Sequence, residues 1–437
     1  MSSIDARQVR VDTTSSERLA ESGLIYRAVP LDGDEFSDYY RAVARGFLGA
    51  EPGEKEIEAG REKKSQRTER LIGVYDAAAS DGYPVGTVGS WATPLTVPGG
   101  EIDMWAISDV TVAGTHRRRG IARAMLEGEL RAASEAGIAI AGLTVSEGTI
   151  YGRYGFGPAV PAATVSVDTI RAGWGSLVPQ AVVSYAPRTE IASAFAEAAG
   201  RTRRDGRIPG WPGRWQQFAG VHPSISDGEK ERGVVARDAD GRVVGAMSYR
   251  LIEDAADFTR HTLKIGHVEA ATADAYAALW RFALSHDLVT TVTADLQPID
   301  GALPWLVADP HAITQHASDL VWLRILDLPR ALEGRTYAGE GSTHAVNASG
   351  VLRVHDPLGF ADGTWRVEVE AGTARVFPSE MDPDVELGVA ELSAVYLGGA
   401  SLQVLAEAGR VSGEQPALAR IDAALRPARA PHHSFIF

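Results

Sequence analysis

One stretch limits the folds open to this chain more than any other. Val110-Thr111-Val112-Ala113-Gly114-Thr115-His116-Arg117-Arg118-Arg119-Gly120-Ile121-Ala122 begins β-branched, turns basic around a glycine, and runs into Arg123-Ala124-Met125-Leu126-Glu127. The pattern predicts a strand, a loop with an Arg-x-x-Gly-x-Ala core, and a helix. The first N–H groups of such a helix have no internal partner, and its N-terminus carries partial positive charge, so the turn is suited to an anion. Three neighbouring arginines add fixed charge that matches phosphate. Gly-Lys-Ser/Thr is absent, which excludes a nucleotide P-loop, and Gly-x-Gly-x-x-Gly is absent, which excludes a dinucleotide turn.

The flanking sequence predicts an α/β (α+β) arrangement. Tyr26–Val29 reads as a strand, and Gly33–Phe47 carries apolar residues at helical spacing (Phe36, Tyr39, Tyr40, Val43, Phe47). The charge-rich Glu54–Arg70 predicts an exposed helix. Leu71–Tyr75 and Val85–Trp91 flank a turn and predict a hairpin. Trp105–Val112 and Ala139–Val145 are the strands on either side of the helix Gly120–Ala136. A second hairpin pattern at Gly233–Asp238 and Val243–Met247, then a strand (Leu263–Ala270) and a helix (Ala273–Leu284), repeats this order without the arginine loop, as a duplicated domain would. Beyond Leu326 come short strands at Val351–Val354, Trp365–Val369 and Ala374–Phe377, and helices at Glu391–Tyr396, Leu402–Ala408 and Gln415–Leu425.

With 437 residues, the chain should hold several domains. The net charge of −14 argues against nucleic acid as a general partner and is read first as a solubility feature. No cysteine is present, so disulfides, thiolate metal sites and cysteine nucleophiles are excluded. The histidines show no metal-ligand spacing, and no metal is expected. No apolar run reaches the roughly 18 residues of a membrane span and no signal-peptide pattern opens the chain, so a cytoplasmic protein is expected. The polar Met1–Glu21 reads as a flexible lead-in. The tail Pro431-His432-His433-Ser434-Phe435-Ile436-Phe437 is apolar where a terminus is usually frayed, and predicts burial; the two histidines read as a solvated pair.

The arginine loop resembles the pyrophosphate-wrapping motif of the GNAT superfamily of N-acetyltransferases. Together with Ser146-Glu147-Gly148-Thr149-Ile150-Tyr151-Gly152-Arg153-Tyr154-Gly155-Phe156-Gly157-Pro158 and an aromatic last residue, it resembles the enhanced-intracellular-survival (Eis) family. The likeness also covers Ala270–Trp280, Trp322–Leu332 and Tyr396-Leu397-Gly398-Gly399. It implies two tandem GNAT-type mixed-sheet domains, a catalytic one at 1–165 and a degenerate one at 166–325, followed by a sterol-carrier-like α/β domain at 326–437. It also implies a homohexamer that transfers acetyl from acetyl-CoA to primary amines, those of aminoglycosides among them. Protein-lysine acetylation, or a lipid- or CoA-binding protein with little transfer activity, is the alternative.

Carried over by position, the donor contacts fall on Val110, Thr111 and Val112, on Arg117, Arg118, Arg119, Gly120, Ile121, Ala122 and Arg123, and on Ser146 and Glu147. The general acid falls on Tyr151, with Tyr154 as its competitor, and the general base on the terminal carboxylate of Phe437. The chemistry suits these groups. An attacking amine must give up a proton, and an α-carboxylate is ionised at neutral pH. The oxyanion needs a preorganised donor, which strand backbone near Val110 can supply. A leaving thiolate can take its proton from a tyrosine. Two departures bear on the acceptor. Ile436 stands where aminoglycoside-modifying members carry an acidic residue, and Leu48-Gly49-Ala50 follows Phe47 where another is expected, with Glu51 next in line. Trp211–Trp215 reads either as a substrate mouth or as a loop packed on the central domain.

Overall fold

The computed structural model describes residues 4–79, 82–337 and 348–437. Met1–Ser3 of the expected lead-in and residues 80–81 of the expected hairpin turn lie outside them. The chain divides into two units. The first comprises Met1–Val160, Asp319–Pro431 and Ile436–Phe437; the second comprises Pro161–Ser318 and His432–Phe435.

In the first unit, β1 (Leu24–Ala28), β2 (Arg70–Asp76), β3 (Gly86–Val97) and β4 (Gly100–Val112) form an antiparallel series. The helix α4 (Ile121–Glu135) then carries the chain back so that β5 (Ile140–Thr144) lies parallel to β4. Residues 321–325 of the strand Ile313–Ile325 pair antiparallel with β5. A polar knot fastens α4 to the sheet. Glu129 is fully buried and takes hydrogen bonds from Ser90 Oγ at 2.5 Å and Trp105 Nε1 at 3.2 Å, with Arg70 at 3.6 Å. A buried carboxylate survives only with such partners.

The lead-in expectation is corrected for the described residues. A helix, α1 (Thr13–Ala20), starts on Asp12, whose side chain accepts from Ser15 N. Its polar residues are spent on α4: Arg131 reaches Asp12 at 2.8 Å, Arg18 reaches Glu127 at 2.8 Å, and Ser15 Oγ donates to Ala124 O at 2.7 Å. The helices α2 (Asp34–Gly46) and α3 (Glu54–Gln66) follow. The expected exposure of α3 is also corrected, because Ile57, Ala59, Gly60 and Lys64 are buried.

The C-terminal part of the first unit is a five-stranded sheet in the order Thr373–Pro378, Gly363–Glu370, Ala348–His355, Val385–Gly388, Val411–Gly413. Gln415–Leu425 is the last helix, as the sequence predicts. The glycine-dense segment after Tyr154 meets the helix Val389–Val395, where a Cβ on Gly157 would stand 1.9 Å from Ala390 O. Nearby, the fully buried Arg324 makes both of its Asp356 contacts at 2.7 Å and donates to Tyr154 O at 2.7 Å.

In the second unit, Val182–Tyr185, Arg232–Arg237, Val243–Ile252 and His261–Ala270 are antiparallel neighbours. The helix Ala273–Leu284 then leads to Val289–Gln297, parallel to His261–Ala270. This repeats the path of β4, α4 and β5. Trp211 and Trp215 are buried here, and the latter belongs to a core cluster with Phe195 and Phe218. Of the two readings of that segment, the structure supports packing.

Asp356 also accepts from the backbone N–H groups of Leu358 and Ala361. Asp356→Ala should therefore leave a buried guanidinium uncompensated and destabilise the first unit by about 3–5 kcal/mol, read as a lowered midpoint in denaturant.

Candidate active site

β4 and β5 are neighbours only from Met104–Ile140 to Ile107–Leu143. At the next residues the register of β4 against β3 shifts, and Asp109 adopts φ 55°. This is a bulge, which bends its strand and ends regular pairing. Three buried groups hold it. Lys64 meets Glu69 Oε1 at 2.6 Å and also contacts Asp109, inside the first unit. Burial alone would depress the Lys64 ammonium, but the two carboxylates outweigh it and hold its pKa above the usual value. Burial would raise Asp109, and Lys64 holds it down. Thr87 Oγ1 donates to Asp109 O at 2.8 Å and lies 2.6 Å from Thr111 Oγ1.

Phe437 ends in the gap that opens beyond this point. Its main-chain oxygen accepts from Ser108 Oγ, just past the last paired residue of β4, and from Thr144 Oγ1, at the end of β5, each at 3.1 Å. Its ring is 5% exposed and lies edge-on to Trp91 at 5.8 Å. The expected burial of the aromatic terminus therefore holds, although Ile436 beside it is exposed, and its reason is local: two hydroxyls and an indole fix the last residue between two parting strands.

The anion turn is present at the other end of β4. α4 begins at Gly120, which has φ 76° and offers no side-chain cap. The first main-chain bond along the helix is Ala124 N to Gly120 O, so the preceding N–H groups have no helical partner. Arg117 and Arg118 are exposed and make no ion pair among the described residues. Arg119 is bound to Asp76 at 3.0 Å and Arg123 to Glu127 at 2.6 Å, so these two are partly neutralised. Ile121 and Thr111 turn their side chains into the protein, which leaves only their backbone for a ligand. This donor set, open N–H groups with two unpaired guanidiniums, fits a pyrophosphate. In the second unit the equivalent turn is closed, because Thr272 accepts from Ala275 N at 3.1 Å and caps its own helix.

Ser146 and Glu147 are exposed beyond β5, and Tyr151 closes the short helix α5 (Gly148–Tyr151). Burial pushes the Tyr151 hydroxyl above the usual tyrosine value, with a hydrogen bond to Ser146 opposing it. Tyr154 is also raised by burial and faces Glu127, Arg123 and Arg153. Both phenols thus stay protonated at neutral pH, but Tyr151 is the one that meets a residue expected at the donor.

Some expectations fail. His432 and His433 are not a solvated pair. His433 is buried against Phe435. His432 donates its N–H to Asp205 O and sets Nε2 against Leu296 O, both at 2.8 Å, and burial pushes its pKa down to about 4. Glu51 is mostly exposed beside Arg41. Sequence reasoning did not find Ser108, Thr144, Trp91 or the Lys64–Glu69–Asp109 cluster, which carry no motif and meet only through the fold. Among the described residues, no group of histidines and carboxylates is placed to hold a metal, and no helix is long and apolar enough to cross a membrane.

Comparison with known proteins agrees with this architecture. Two family models described as acetyltransferase (GNAT) domains match residues 27–159 and 208–325, and a sterol carrier protein domain matches 328–434. An uncharacterised N-acetyltransferase of Streptomyces griseus is 35% identical over 411 residues, covering 91% of this chain and 96% of the relative. The N-acetyltransferase Eis of Mycobacterium tuberculosis is 32% identical over 370 residues, covering 82% and 87%. The crystal structure of Eis1 from Mycobacterium abscessus superposes with a TM-score of 0.78 at 27% identity, covering 95% of this chain and all of the other.

The grip on Phe437 is testable by itself. In a Ser108→Ala/Thr144→Val variant, carboxypeptidase should release the last residue at least several-fold faster than from the unaltered protein, with the melting profile nearly retained.

Proposed function

The chain belongs to the Eis-like family of GNAT N-acetyltransferases and is an acyltransferase; from this premise we propose that it transfers acetyl from acetyl-CoA to a primary amine, with the Phe437 carboxylate as base and Tyr151 as acid. The observation that carries the proposal is the oxygen of Phe437 held by Ser108 and Thr144 where β4 and β5 part. A carboxylate fixed there by two hydroxyl donors needs no further ordering at the moment of reaction.

In this mechanism the open N–H groups at the start of α4, with Arg117 and Arg118, bind the pyrophosphate of the donor. The unpaired edge of Val110–Val112 faces the thioester and supports the developing oxyanion. The amine nitrogen attacks the thioester carbonyl. The C–N bond forms, the C–S bond breaks, the ammonium proton passes to the Phe437 carboxylate, and the thiolate takes a proton from Tyr151. Because its pKa is raised, Tyr151 holds its proton at neutral pH and can donate it to the departing sulfur as the C–S bond breaks. The family resemblance further supports a cytoplasmic homohexamer, which sedimentation would test. Aminoglycosides draw support from the family resemblance alone, because Ile436 and Leu48-Gly49-Ala50 supply no acidic side chain to a polycationic sugar.

Deleting Phe437 should lower turnover roughly 10²-fold or more in a thiol-release assay while calorimetry still detects acetyl-CoA binding. Normal turnover by the truncated enzyme would sink the terminal-base assignment. Tyr151→Phe should also cost roughly 10²-fold in kcat with little change in acetyl-CoA affinity. A loss confined to Tyr154→Phe would move the acid to that residue.

A further inference from the structure

The C-terminal end of α3 places three basic side chains beside the candidate site, and the acid groups around them satisfy only one. Lys64 takes both Glu69 and Asp109. Lys63 and Arg67 stand one helical turn apart on the same side. Both are half-buried, and neither makes an ion pair or a side-chain hydrogen bond among the described residues. The Arg67 guanidinium lies 4.3 Å from the ring centre of Trp91, and its Nη1 is buried without a partner. Trp91 in turn is edge-on to Phe437 at 5.8 Å. One indole therefore separates an unsatisfied guanidinium from the residue proposed to take the acceptor's proton.

A half-buried arginine with no acceptor is costly unless a ligand supplies one. Burial first, and then the like charges of Arg67 and Lys64, push Lys63 down to about 7 against the opposing pull of Glu69 and Asp109. Arg67 is also lowered by burial. A polycationic acceptor would add to that repulsion, whereas an anion would relieve it. The phosphates of the donor have their own site at Gly120, at the start of α4. Trp91 lies between Arg67 and Phe437, with the guanidinium over its ring and the Phe437 ring edge-on to it, so the charge that could read an oxyanion is held next to the candidate base.

Building on the acetyltransfer reading, we infer that the acceptor is an amine that also bears an anionic oxygen group, a carboxylate or a phosphate, read by Arg67 with help from Lys63. Arg67 is then a specificity-determining residue, and this enzyme differs from one built for polycations in the sign of the charge that it selects.

Matched acceptor pairs test this. Initial rates of thiol release would be compared for tyramine and tyrosine, phenethylamine and phenylalanine, and ethanolamine and phosphoethanolamine, with gentamicin as the polycation. The unaltered enzyme should favour the anionic member of at least one pair in kcat/KM, and the pair that responds separates carboxylate from phosphate. In Arg67→Met that preference should shrink roughly 10-fold to 100-fold, and Arg67→Lys should restore part of it. Should Arg67→Met fail to fold, Lys63→Gln provides the same ratio with a smaller expected change. Calorimetric binding of the preferred anionic amine in the presence of CoA should weaken in parallel. Preference for the members that lack the anionic group or for gentamicin, or a rise in acetyl-CoA KM in Arg67→Met with the pair ratio unchanged, would overturn the inference. Turnover of plain amines without anion preference would remove this inference and leave the acetyltransfer proposal standing. Absence of turnover with every amine, while acetyl-CoA binds, would remove both.

Discussion

The first unit turns on the place where β4 stops following β5. Were the ladder to continue past Ile107 and Leu143, Ser108 and Thr144 would be ordinary facing strand residues with no space between them for a third chain segment. The bulge at Asp109 ends the ladder, and a buried lysine with two carboxylates stabilises that irregular turn. Burying three charges at a non-repeating backbone position is expensive and is offset only by their mutual contacts. The gap it opens serves both ends of the proposed chemistry, because unpaired β4 backbone borders it on one side and the last residue of the sequence enters it.

Much of the scaffold was legible because it is local. The loop at Arg117–Ala122, the helix after it and the helix Gln415–Leu425 follow from periodicity and turn chemistry. The polar first helix was not legible, because Asp12, Ser15 and Arg18 find their partners more than a hundred residues away on α4. The same holds at the site. Phe437 and Tyr151 came from a resemblance and the arginine loop from physics, whereas Ser108 and Thr144 lie hundreds of residues from the oxygen they hold. The tail histidines misled for a related reason: His432 is satisfied by the main-chain carbonyls of Leu296 and Asp205, which leave no trace in composition.

The duplicated domain shows how small a change separates a ligand site from a structural turn. Both units send a strand into a helix and back into a parallel strand. In the first, Gly120 leaves the helix start open; in the second, Thr272 closes it with its own hydroxyl. The helix dipole is the same in each. What differs is whether the N–H groups are already occupied, so the loss of the arginines and the gain of a cap describe a single conversion.

The close approach at Gly157 bears on how such a protein can be taken apart. A domain boundary drawn from sequence suggests that the region after Leu326 is a module that could be lost or exchanged. Yet a single added carbon at Gly157 would collide with the carbonyl of Ala390, and among the described residues Arg324 has its countercharge in Asp356 alone. The acetyltransferase fold and the sterol-carrier-like fold of this unit have therefore lost their independence, and each is now a fixed boundary condition on the other's sequence. A chain cut at that seam would be left with an exposed cleft and a stranded charge, so a substitution on one side calls for a matching one on the other.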